Sequence, residues 1–264
     1  MSLTLPEPGL GTSGNDDYET CRETVVTALD IGYRHIDTAQ MYENEKAVGD
    51  GIAESAVDRE EIVVATKIHP ENLAYEDAIE TAHESLDRLG LDSVDLLYVH
   101  WPIRAYDPEE SLRAMDDLRA EGVTRHVGLS NFTPSLLEEA EQLLDSPIMA
   151  HQVECHPLLQ QAELREYARE QGHPLVAYCP LGRAELTHPV LEEIAAKHET
   201  SVPLVCLAWG YAQESVVPIP KAIGDHLQEN WEARALELDE TDLERIASIE
   251  ETERLVDPDD AAWN

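Results

Sequence analysis

Lys67 closes a short apolar run, Ile62-Val63-Val64-Ala65-Thr66, where a lysine is rarely tolerated without a partner. The chain holds only four lysines, Lys46, Lys67, Lys197 and Lys221, and Lys221 also follows an apolar run, Val216 to Ile219. Other apolar runs end similarly. Asp37 and then Tyr42 follow the run around 34–37, His100 ends Val94 to Val99, and Ser130-Asn131 follows 125–129. Gln152 lies in the run 149–153, and Tyr178 ends Pro174 to Ala177. An ammonium, a carboxylate, a phenol and an imidazole brought together could move a proton to or from an oxygen. Singly, each has a structural explanation. Asp37 could cap a turn, Tyr42 could be a half-buried aromatic, and His100-Trp101 could be strand-end packing. Ser130-Asn131-Phe132 could be a turn leading to a helix cap at Thr133.

The elements that must position these residues alternate regularly. Eight candidate strands fall around 8–12, 34–37, 62–67, 94–100, 125–129, 149–153, 174–179 and 215–219, the clearest being the short, β-branched apolar runs Ile62 to Ala65, Val94 to His100, Pro174 to Tyr178 and Val216 to Ile219. Such runs are expected of strands covered on both faces. Between them, apolar residues recur at three and four, as in Tyr18, Cys21, Val25, Ala28 and Leu29, or Leu136, Leu137, Ala140, Leu143 and Leu144. Thr133-Pro134 reads as a helix start and Gly90 as a helix stop. Eight strand–helix units predict a (β/α)8 TIM barrel, one domain spanning 1–264, with chemistry at the C-terminal strand ends. A doubly wound open sheet is the alternative, but no G-x-G-x-x-G opens the first helix.

The 264 residues carry 55 Asp and Glu against 18 Lys and Arg, a net charge of −37 spread along the whole chain. Self-repulsion at that density needs screening, so the composition predicts a halophilic protein. Nucleic acid and anionic membranes, which attract basic patches, are not expected partners. The four cysteines form no C-x-x-C pair, no signal peptide is evident and no apolar run could span a bilayer, which predicts a cytoplasmic protein. His151, Cys155 and His156 match no standard zinc spacing, so no metal is expected. Paired carboxylates, the mark of a glycosidase, carry little information in so acidic a chain.

Seven segments resemble, in order, the signatures of the aldo-keto reductases, in particular microbial reductases of the diketogluconate-reductase type. They are Gly32-Tyr-Arg-His-Ile-Asp-Thr-Ala-Gln-Met-Tyr-Glu-Asn-Glu45, Val63-Val-Ala-Thr-Lys-Ile68, Asp95-Leu-Leu-Tyr-Val-His-Trp-Pro102, Gly128-Leu-Ser-Asn-Phe132, Gln152-Val-Glu-Cys-His-Pro157, Ala177-Tyr-Cys-Pro-Leu-Gly182 and Ile219-Pro-Lys221. The resemblance implies NAD(P)H-dependent reduction of a small aldehyde or ketone, with Asp37, Tyr42, Lys67 and His100 as the catalytic tetrad. Tyr42 would protonate the developing alkoxide. Lys67 would lower its pKa from the ordinary phenol value of about 10, Asp37 would keep Lys67 charged, and His100 would orient the carbonyl.

The same resemblance places a nicotinamide on Tyr178, its carboxamide on Ser130, Asn131 and Gln152, and its ribose and pyrophosphate along Gly11, Thr12 and Leu181. Lys221 would meet a 2′-phosphate, with Glu229 and Asn230 near the adenine, and Trp101 and Phe132 would wall the substrate pocket. Four positions depart from the family pattern, among them Ser13 in place of an aromatic and Cys179 in place of a serine. Ala222 stands where a serine is common and His226 where an arginine is, so NADP(H) is expected to be preferred only modestly and NAD(H) to be usable. A monomer or weak oligomer is expected. The competing expectation is a regulatory barrel that binds nicotinamide without turnover.

Overall fold

The computed structural model describes residues 4–264. Side chains in its strands point alternately to two faces, and both faces are buried. One face, with Ile36, Val64, Ile68, Leu97, Val99, Val127, Leu129, Leu175 and Val216, packs on the helices. The other, with Ala65, Leu96, Tyr98, Ala150, Val176, Val217 and Ile219, packs only on its own kind and on Leu5. That double covering is why the strands read as continuous apolar runs.

Eight parallel strands form one sheet in sequence order. They are β1 (Leu10–Gly11), β2 (His35–Asp37), β3 (Val63–Ile68), β4 (Val94–Val99), β5 (Thr124–Ser130), β6 (Ile148–Glu154), β7 (Leu175–Tyr178) and β8 (Val216–Pro218). All eight lie where the sequence predicts them. The connecting helices are α1 (Tyr18–Ile31), α2 (Glu45–Glu54), α3 (Tyr75–Leu89), α4 (Pro108–Glu121), α5 (Pro134–Leu143), α6 (Ala162–Gln171), α7 (Pro189–Lys197), α8 (Val202–Tyr211) and α9 (His226–Glu232), followed by α10 (Glu240–Ala247). The crossover from β7 to β8 holds two helices. The second of them, α8, is apolar nearly all round and gives no amphipathic signal to read. The Gly9 N–H donates to the carbonyl of Pro218, the last residue of β8, at 3.0 Å, and the Gly11 N–H to the Pro220 carbonyl just beyond it at 3.1 Å.

Helix ends follow the expected chemistry. The Thr133 hydroxyl accepts from the Leu136 N–H, and Gly90 ends α3 in the left-handed region. Part of the acidic excess is used in the same way, since Asp17, Asp107 and Asp239 each cap a helix N-terminus, where a negative charge is favoured.

The enclosed face carries the polar strand-end residues by simple period-two continuation. His35 leads to Asp37, Ala65 to Lys67, Tyr98 to His100, Gly128 to Ser130, Ala150 to Gln152, Val176 to Tyr178 and Ile219 to Lys221. Gly128 pairs with Tyr98 across β4–β5. A Cβ on Gly128 would stand 2.4 Å from the Tyr98 ring, so only glycine leaves room for that ring in the interior.

Candidate active site

A cavity of about 740 Å³ opens at the C-terminal strand ends. Beneath it lies a buried polar knot. Lys67 is fully buried, and its Nζ donates to Asp37 Oδ1 at 2.5 Å and to the Thr38 carbonyl at 2.8 Å. Asp37 Oδ2 accepts from Gln152 Nε2 at 2.8 Å. A charge buried this far from water is stable only when paired and hydrogen-bonded, and both members meet that condition. Burial works against the Lys67 ammonium, but Asp37 and the Tyr42 side chain more than offset it, leaving its pKa above that of a free lysine.

Tyr42 sits in the short helical turn Gln40–Tyr42 with its ring partly open to the cavity. Lys67 Nζ lies 5.0 Å from the ring centroid, and the His100 ring stands edge-on to it at 5.8 Å. Burial pushes the Tyr42 phenol up, Lys67 pulls it down, and the balance stays above the ordinary value. The pull of Lys67 has the expected direction, yet desolvation is larger, so Tyr42 holds its proton at neutral pH. Burial and then the Lys67 charge press the His100 pKa well below normal, so its imidazole is neutral. Its Nδ1 is buried with no hydrogen-bond partner.

Asn131 ties the neighbouring strand ends together from a left-handed backbone position, φ 64°. Its Nδ2 donates to the His100 carbonyl at 2.9 Å and to Ser130 Oγ at 3.0 Å, while its Oδ1 accepts from the Tyr178 hydroxyl at 2.8 Å. The Tyr178 ring is thereby fixed at the cavity wall. Asn131 and Gln152 both line the cavity with part of their capacity already used. Ser130 is fully buried beneath Asn131.

The cavity is also lined by Gly11, Thr12, Leu181, Lys221, His226, Glu229 and Asn230. The Thr12 hydroxyl is anchored to the Asp37 carbonyl at 3.0 Å. His226 Nδ1 lies 2.7 Å from Glu229 Oε2, so the imidazole is engaged by a carboxylate of its own helix. Asn230 is 3 % exposed, and its Nδ2 has no partner.

Trp101 lines the cavity as expected, but Phe132 does not. The Phe132 ring is buried in the sheet–helix core, edge-on to Tyr106 at 5.5 Å. It follows Asn131, whose left-handed backbone turns the chain away from the mouth. Met41, Arg183 and Val256 line the cavity without having been singled out. Met41 is one residue from Tyr42 and legible in hindsight, whereas Arg183 and Val256 come from a loop and the C-terminal tail, which give no periodic signal. Trp263 packs on Trp101 with ring centroids 5.5 Å apart.

Residues 9–251 match the family model described as "Aldo/keto reductase family". The chain is 39% identical over 255 residues to a glyoxal reductase of Bacillus subtilis (strain 168), covering 96% of this chain and 92% of that one. It is 39% identical over 266 residues to the methylglyoxal reductase DkgB of Escherichia coli O157:H7, covering 98% of each. The fold superposes with a TM-score of 0.87 on a Bombyx mori aldo-keto reductase solved in complex with NADP, at 29% identity over 97% of this chain and 92% of that one. With a buried lysine–aspartate pair under a protonated tyrosine and a neutral histidine, and with these matches along nearly its whole length, the chain belongs to the aldo/keto reductase family.

Proposed function

We propose that this oxidoreductase reduces small reactive aldehydes and ketones with NADPH, using Tyr42 as the proton donor, in a closed (β/α)8 barrel of one domain. The hydrogen bonds from Gly9 to the end of β8 and from Gly11 to the chain just after it support closure. The observation that carries the mechanism is the Asp37–Lys67 pair beneath Tyr42, with the neutral His100 beside it. Glyoxal and methylglyoxal, in the names of two relatives, set the expected substrate size.

The cavity residues fit a dinucleotide. The aromatic Tyr178 wall, the free capacity of Asn131 and Gln152, and the orphaned Asn230 amide suit a flat polar ring at one end and an adenosine at the other. Gly11, Thr12 and Leu181 would lie along the pyrophosphate, with Lys221, His226 and Glu229 around the adenosine. A nicotinamide held there would supply a hydride to the carbonyl carbon. Tyr42 then gives its proton to the carbonyl oxygen as negative charge develops there. Lys67 stabilises the phenolate left behind, and Asp37 with Gln152 holds Lys67 in place. His100, being neutral, donates a hydrogen bond to the same oxygen without adding charge. NADPH oxidation followed spectrophotometrically with methylglyoxal and simple aldehydes in molar salt tests this function. Absence of turnover alongside cofactor binding would instead favour the regulatory barrel.

The cofactor preference is expected to be modest. Lys221 offers a phosphate one cation, but Glu229 lines the same cavity and engages His226. Lys221→Ala is expected to lower the ratio of kcat/KM for NADPH over NADH by roughly five- to tenfold, the scale of one solvent-screened charged contact. An unchanged ratio in the variant removes Lys221 from phosphate recognition.

The charge of −37 also makes a thermodynamic prediction. The melting temperature should rise steeply with potassium chloride, because screening relieves self-repulsion that is strongest when the Debye length is about 30 Å, near 0.01 M salt. A melting temperature highest in dilute buffer overturns the halophilic expectation.

A further inference from the structure

We propose that Glu154 latches the C-terminal tail across the cavity mouth and so sets the size of carbonyl substrate that fits; the substrate part of this proposal rests on the reductase function above. Glu154 ends β6 two residues after Gln152, on the same face of the sheet, and its carboxylate is fully buried. No polar group of the catalytic knot is bonded to it. Its Oε1 accepts from the Leu255 N–H at 2.7 Å and its Oε2 from the Val256 N–H at 2.9 Å. The imidazole Nε2 of His156, also fully buried, lies 2.9 Å from Oε1.

The bonded segment has no helix or strand of its own after α10. Its other backbone tie to this region is from the Glu253 N–H to the Leu158 carbonyl at 2.8 Å. Backbone amides in such a segment must find partners elsewhere. A carboxylate taking two successive N–H groups is a strong, charge-assisted acceptor. Burying that carboxylate costs heavily unless its oxygens are satisfied, so the strand end and the tail stabilise each other. What the latch positions is the substrate side of the site. Val256 lines the cavity directly. Farther along, Trp263 backs Trp101, with Arg254 stacked 4.0 Å over its ring and its Nε1 donating to Asp257 at 2.8 Å. Glu154 is thus a positioning residue. Freeing the tail moves the wall against which a bulky substrate packs, and leaves Tyr42, Lys67 and Asp37 where they are.

The test uses Glu154→Gln, which keeps the shape but turns an N–H donor toward one of the two amides. With NADPH bound, hydrogen exchange at residues 255 and 256 is expected to accelerate about tenfold or more. KM for 4-nitrobenzaldehyde is expected to rise about tenfold, while kcat with methylglyoxal stays within about twofold. Trp263→Ala should raise the same KM while the two amides stay protected. Unchanged exchange in Glu154→Gln, or an equal rise in KM for both aldehydes, overturns the latch. If Glu154→Gln does not fold, the wild-type protein decides. Slow exchange at 255 and 256 relative to 259, 260 and 262 supports the latch, and equal exchange rates overturn it. A wild-type protein that oxidises no NADPH with either aldehyde refutes the reductase function, and the exchange measurement still tests the latch.

Discussion

Tyr42→Phe is expected to lower kcat for carbonyl reduction by about 10²–10⁴-fold, the usual contribution of a positioned general acid. Phenylalanine keeps the ring that packs edge-on to His100 and deletes only the hydroxyl. The proton is transferred in the transition state, so the loss should fall on kcat and kcat/KM together. Cofactor affinity, read by fluorescence quenching, should hold within about twofold, because the interaction removed is made only in the transition state. Stability should change little, since the ring is kept and Lys67 retains Asp37 and the Thr38 carbonyl as partners. Single-turnover measurement separates the outcomes. Near-wild-type transfer by the variant assigns the proton to another acid. Lost cofactor binding makes Tyr42 a structural residue.

Lys67→Met should be the more damaging substitution, because it acts on chemistry and on folding at once. Methionine fills most of the volume but leaves the Asp37 carboxylate, 1 % exposed, with Gln152 alone. Breaking a buried ion pair from one side typically costs about 3–5 kcal/mol. For a chain of this size that corresponds to a melting temperature lower by roughly 6–20 °C. Activity should fall on the scale of Tyr42→Phe by a different route: the phenol remains, but the charge that stabilises its conjugate base is gone. The second substitution Asp37→Asn in the Lys67→Met background should restore much of the stability, since no unpaired charge is then buried, and none of the activity. If the double variant is as unstable as the single one, the pair does not carry the destabilisation. If Lys67→Met remains active, Lys67 is not what sustains Tyr42 as an acid.

These two experiments probe parts of the site that were legible for a simple reason. A parallel strand covered on both faces has a period of two, so one apolar inward residue fixes the direction of the next-but-one. Ala65 pointing inward sends Lys67 inward, and Tyr98 does the same for His100. Short apolar runs and their regular alternation with helical segments located the strands, and the strand ends located the polar residues. Thr133 and Gly90 punctuated their helices through local side-chain and backbone chemistry that needs no distant partner.

Tertiary structure decided what that period cannot reach. The resemblance puts Phe132 at the substrate wall, but after a left-handed turn at Asn131 it packs against Tyr106 in the core. The net pKa of Tyr42 depends on the desolvation imposed by the assembled site, which exceeds the pull of Lys67 visible from residue types alone. Helix α8 is buried on nearly every side and so carries no amphipathic mark. Glu154 makes its decisive bonds with residues 101 and 102 positions away. Sequence by itself determined the strands and the residue types gathered at one end, because these follow from short-range geometry. Which of those residues meet, what charge state burial leaves them in, and where the tail closes over them follow from contacts between segments far apart in the chain, and only the folded structure fixes those.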